Sequence, residues 1–108
     1  MTDLHCDQAL IVLNAPPKLE EPVVDWLLSR GDGAGFTSFP VFGHSASHEH
    51  LSPAEQVSGR QRRQQFQVQI RTERVEAFLD DFRISFGTAD THFWVLPLIA
   101  GGSLEADE

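Results

Sequence analysis

Phe66-Gln67-Val68-Gln69-Ile70-Arg71 alternates apolar and polar residues, and beyond Thr72 the residues Val75, Phe78, Leu79, Phe82 and Phe86 form an apolar stripe that stops at Gly87. A period of two is a strand with one dry and one wet face, and recurrence at three and four residues is an amphipathic helix. The polar register of the strand continues back through Arg60, Thr72 offers a helix N-cap, and Gly87 supplies the C-terminal stop. Upstream, the continuous apolar run Gln8-Ala9-Leu10-Ile11-Val12-Leu13 ends at Asn14-Ala15-Pro16-Pro17, the pattern of a central strand buried on both faces. Leu19, Val23, Trp26 and Leu27 then recur at helical spacing, with Gly31 as the stop. Pro22 is tolerated only in a first turn, so this helix begins near Lys18 or Leu19. Phe36 to Phe42 reads as a strand whose Pro40 assigns it to an edge or a bulge, and Phe93-Trp94-Val95-Leu96 is a fourth strand ending near Pro97.

The order is strand, helix, strand, strand, helix, strand. Two split βαβ halves of this kind make an α+β ferredoxin-like βαββαβ plait, a four-stranded antiparallel sheet with two helices on one face. The 108 residues suffice for a single domain, 1–108, and 41% hydrophobic residues with eight Phe suffice for its core. The tail 101–108 is acidic and reads as frayed. One sheet face has no helix over it, which predicts that other subunits cover it.

Sixteen acidic against eight basic residues give a net charge of −8, the wrong sign for neutralising phosphates, so nucleic acid is excluded as a first partner. A single cysteine, Cys6, rules out an intrachain disulfide framework. Met1 to Asp7 carries two acids and no Lys or Arg, unlike a signal peptide, and no apolar run is long enough to span a bilayer. A cytoplasmic location without membrane insertion is the expectation.

The connection 43–59 is long for a hairpin loop, and long loops tend to be functional. It holds His44, His48 and His50, with Glu49 between the last two, and Ser52-Pro53-Ala54-Glu55 has the form of a capping box for a short helix through Val57. Imidazole and carboxylate are donors suited to zinc, nickel or copper. Plait topology brings this loop to the same sheet end as the turn carrying Asp90 and His92, which adds His92 to the candidate ligands. His5 and Cys6 start the first strand at the opposite end and reach such a site only across a subunit boundary. The alternative is a solvated loop that merely tolerates histidines.

Arg60, Arg62 and Arg63 concentrate basic charge at the stem of the loop, where they either hold a phosphate or carboxylate or pair with acidic side chains. Gly31-Asp32-Gly33-Ala34-Gly35 follows a helix and precedes a strand, the reverse of a phosphate cradle, and is a turn. No nucleophile elbow or other catalytic motif occurs, so a small hydrolase is the weakest reading and the expectation is no enzyme.

Pro16-Pro17, Leu19-Glu20-Glu21, Val24-Asp25-Trp26-Leu27-Leu28, Gly35-Phe36-Thr37-Ser38, Gly43-His44, Ala54-Glu55-Gln56-Val57, Gly59-Arg60-Gln61-Arg62-Arg63 and Trp94-Val95-Leu96-Pro97 together resemble a bacterial domain-of-unknown-function family with PII-like structure. Such proteins are similar to PII signalling proteins and to the CutA divalent-cation tolerance proteins, and their genes often neighbour heavy-metal efflux pumps of the RND type. The resemblance implies a homotrimer and a role in metal homeostasis. It makes 43–59 the counterpart of the partner-contacting T-loop and Gly87 to His92 that of the B-loop. Here Gly87-Thr88-Ala89-Asp90-Thr91 offers no Lys or Arg to nucleotide phosphates, and the absence of Tyr removes regulation by tyrosyl uridylylation. The sequence thus predicts a non-enzymatic PII-like regulator that binds a divalent heavy metal through His44, His48, His50, Glu49 and His92 and contacts a protein partner, such as an efflux component, through 43–59. The alternative is a sensor of a small anionic metabolite held between subunits near Arg60, Arg62 and Arg63.

Overall fold

Residues 7–31, 35–44, 60–87 and 90–105 are described by a computed structural model. The proposed short helix at 52–57, together with His5, Cys6, His48, Glu49 and His50, lies outside the described residues. Four strands, β1 (Gln8–Ala15), β2 (Phe36–His44), β3 (Arg60–Arg71) and β4 (His92–Pro97), and two helices, α1 (Glu20–Ser29) and α2 (Val75–Phe86), follow in the predicted order. The sheet order is β2-β3-β1-β4, with every neighbouring pair antiparallel. β1, the continuous apolar run, and β3, the alternating strand, are central, and the two strand prolines sit on edge strands, Pro40 on β2 and Pro97 at the end of β4.

The register separates the two faces. Ile11 pairs with Val68 and Leu13 with Phe66, and these side chains pack under Val23 of α1 and Phe78 and Phe82 of α2. Phe66, Ile11 and Val23 are fully buried. Burial of an aromatic or branched side chain of this kind is worth about 1.5–3 kcal/mol each. Trp26 joins the helices by standing edge-on to Phe78, Phe82 and Phe86, at centroid distances of 5.2, 5.5 and 5.6 Å. Arg30 lies over the Trp26 ring at 4.8 Å and bonds Asp81 at 3.1 Å, which fixes the end of α1 against α2.

Two predicted helix signals are replaced by others. Thr72 does not cap α2: it opens a single 3-10 turn, Thr72–Arg74, and its backbone N–H donates to the Asp7 carbonyl at 2.8 Å, so the chain entering β1 takes the place of a side-chain cap. Gly31 is not the stop of α1, because Arg30 already leaves the helix in extended backbone and needs no left-handed residue. Gly87 does end α2, at φ 71°, with its N–H bonded to the Arg83 carbonyl.

On the face without helices the register places Phe39 of β2, Gln65, Gln67 and Gln69 of β3, Leu10, Val12 and Asn14 of β1, and Trp94 and Leu96 of β4. Trp94 is 52% exposed and Leu96 47% exposed. The whole of β4 is exposed, including Phe93 and Val95 on the helix side. After β4 the chain stays close to the sheet: the Leu98 N–H donates to the Gln8 carbonyl, and Gly101 passes against the Gln69 side chain. Among the described residues no helix is long and apolar enough to cross a membrane.

Candidate functional site

The last pair between β1 and β3 is Ala15 with Gln64. Beyond it, among the described residues, Val41–His44 of β2 and residues 60–63 of β3 pair only with each other and form a two-stranded ribbon, beyond which the sequence runs on through 45–59. Two strands without a third are marginal on their own, so what holds the base of the ribbon matters.

Arg63 holds it. Although it lies past the end of β1, its side chain is only 4% exposed. Nη1 donates to Asp90 Oδ2 at 2.9 Å, and Nη2 donates to the Asn14 carbonyl at 2.8 Å and to the Asp90 carbonyl. One guanidinium thus ties the ribbon to the end of β1 and to the turn between α2 and β4. Two local features of the sequence permit this. Gly43, diagonal to Arg63 on the same face, leaves room for the stem, since a Cβ there would stand 3.3 Å from Arg63 Cγ. Asp90 adopts φ 49°, a left-handed conformation that Asp tolerates better than most residues. His92 follows, with Nε2 3.7 Å from Asp90 Oδ1 and 72% exposed, and the buried Oδ1 of Asn14, its cross-strand neighbour, has no hydrogen-bond donor.

The predicted site residues fall into separate groups. Arg60 and Arg62 pair across the ribbon with His44 and Phe42, on the helix side of the sheet, whereas Arg63 pairs with Val41 on the opposite side. Alternation in a strand enforces this split, so the three arginines do not form one cradle. Arg60 lies over the Phe42 ring at 4.4 Å. His44 is exposed at the end of the ribbon, level with Arg60, while His92 is level with Asn14 and therefore with Gln65. Five residues of strand separate those levels, about 17 Å at ~3.4 Å per residue. The two histidines share a sheet end, as topology predicts, but not a coordination sphere within one protomer. Among the described residues no three His, Cys, Asp or Glu side chains gather as a metal site. Sequence reasoning noted Asp90 only as a neighbour of His92 and missed Asn14 altogether; the one available signal was a polar residue closing an apolar run.

Behind the same turn, Leu13, Leu79, Phe82, Arg83 and Phe93 line a mainly apolar cleft of about 90 Å³. That is well below the ~300–1,000 Å³ usual for small-molecule sites.

Residues 5–105 match a family described as a protein of unknown function, DUF3240. The chain belongs to this family. A crystal structure of a DUF3240 family protein from Shewanella baltica OS155 is similar, with a TM-score of 0.75 and 19% identity, covering 92% of this chain and 98% of that one. At that identity the likeness speaks for the fold alone. No curated protein matches the chain.

Proposed function

We propose that this DUF3240 protein is a non-enzymatic, PII-like homotrimeric binding protein that takes up a divalent transition metal, zinc, copper or nickel, on His44 together with His48, Glu49 and His50. The occupied loop then docks on a cytoplasmic protein partner, an efflux component or its regulator. The observation that carries this reading is His44 at the outer end of a projecting ribbon, next in sequence to the His48-Glu49-His50 cluster. Imidazoles and a carboxylate this close in sequence supply borderline donors without requiring a preformed pocket. The Arg63 guanidinium at the ribbon's base has Asp90 as its counter-ion, so it does not oppose a cation further out. His92, about 17 Å away along the strands, joins such a site only from a neighbouring subunit. The exposed Trp94, Leu96 and Phe39 on the uncovered face support association with further copies.

The anion alternative is less well supported, because Arg63 is occupied within the chain and points away from Arg60 and Arg62. Competition titration with a chromogenic zinc chelator tests the proposal. Wild type is expected to withdraw zinc from the chelator and His48→Ala/His50→Ala to lose that ability while keeping its oligomeric state. Equal zinc affinity in the two proteins removes the loop histidines from the site.

A further inference from the structure

We propose that the Arg63–Asp90 pair is a conformational tie that makes the β2–β3 ribbon and the His92 turn move as one unit. Arg63 is the first β3 residue beyond the reach of β1, yet it is only 4% exposed. Its burial comes from contacts with two segments distant in sequence, Asn14 and Asp90, separated from it by 49 and 27 residues. Among the described residues the ribbon has no third strand, and the turn holds a left-handed Asp followed closely by an exposed histidine. The guanidinium links the two segments through both the carboxylate and the backbone carbonyl of Asp90. Because Nη1 takes the Asp90 carboxylate and Nη2 its carbonyl, tilting the ribbon pulls on side chain and backbone of the turn together.

The consequence for metal uptake rests on the reading that His44 and the histidines that follow it in sequence take the ion. An ion that fixes the ribbon's orientation then changes the protection of residues 90–93 through Arg63, without touching them. The turn at His92 becomes the second surface on which the occupied state is expressed. Two discrete arrangements biased from one end are the physical requirement for such coupling.

Amide hydrogen exchange read by mass spectrometry on the full chain tests the tie. Arg63→Gln, which removes the guanidinium, is expected to speed exchange in 41–44 with 60–63 and in 90–93 together by about ten- to a hundredfold, and Asp90→Asn, which keeps an acceptor but removes the charge, by about five- to thirtyfold. Peptides covering β1 and α2 stay at wild-type rates, and Arg60→Gln, on the other face, alters neither segment. A response confined to the segment that carries the substitution overturns the tie, as does no response. Asp90→Asn keeps the side-chain size and the left-handed backbone, so it decides the question even where Arg63→Gln fails to fold. Stoichiometric zinc is then added. Slower exchange at 90–93 in wild type, lost in Asp90→Asn although zinc is still bound, supports transmission. Bound zinc with unchanged 90–93 in wild type refutes it. Absence of zinc binding refutes the metal reading and the transmission built on it, while the two substitutions still decide the tie.

Discussion

Removing the Asp90 carboxylate leaves a guanidinium that is only 4% exposed without its counter-ion, and the cost is set by how well water can replace it. Breaking a buried ion pair from one side typically costs about 3–5 kcal/mol. Asp90 is 27% exposed, which admits some water and places Asp90→Ala at the lower end, about 3 kcal/mol. Part of that comes from putting Ala in the left-handed backbone at φ 49°. Asp90→Asn retains an acceptor for Nη1 and an amino acid at ease in that conformation, and is expected to cost about 1–2 kcal/mol. Arg63→Met keeps the stem that lies beside Gly43 but removes all three donated bonds. With the charge absent from both sides, Arg63→Met/Asp90→Asn is expected to be more stable than the sum of the single costs by about 1–2 kcal/mol. Urea unfolding at one fixed protomer concentration reads these values, because the proposed association would link stability to concentration. At a slope of about 1–1.5 kcal/mol per molar urea, Asp90→Ala lowers the midpoint by about 2–3 M. An Asp90→Ala cost below about 0.5 kcal/mol, or strict additivity in the cycle, refutes a buried pair as the fastening of this sheet end.

Three further outcomes are expected. Phe78→Ala, at a site 1% exposed under the Trp26 ring, loses about 3–5 kcal/mol in the same urea assay; a loss under 1 kcal/mol contradicts its place at the centre of the core. Gly43→Val fills the space beside Arg63 Cγ and costs about 1–3 kcal/mol by thermal unfolding, whereas in an Arg63→Ala background most of that cost disappears. Trp94→Ser/Leu96→Ser weakens self-association in light scattering while retaining the circular dichroism of the fold, and unchanged mass at micromolar protein removes that face from the interface.

Most of the fold was legible because each element carries its own period. The alternation Phe66 to Arg71, the apolar run Gln8 to Leu13 and the stripe ending at Gly87 are local signals, and the plait is the common arrangement that satisfies them in that order. Helix starts were less legible, because Thr72 spends its backbone donor on Asp7, a contact no local pattern announces. The candidate site was legible only as a collection of residue types. Arg60, Arg62 and Arg63 look like one basic cluster in the sequence, yet strand alternation sends Arg63 to the opposite face and a partner 27 residues away neutralises it. His44 and His92 look like ligands of one ion until the register sets them five residues apart along the strands. Long-range pairings of this sort follow from register, and register is fixed by the whole sheet.

Native mass spectrometry of tag-free protein, without metal and with stoichiometric zinc, copper or nickel, reads subunit number and bound ions in one spectrum. A trimer that takes up a fixed complement of one or three ions, lost on His48→Ala/His50→Ala, is the predicted result. A trimer that binds none contradicts metal uptake by the loop, and a monomer contradicts the PII-like assembly itself.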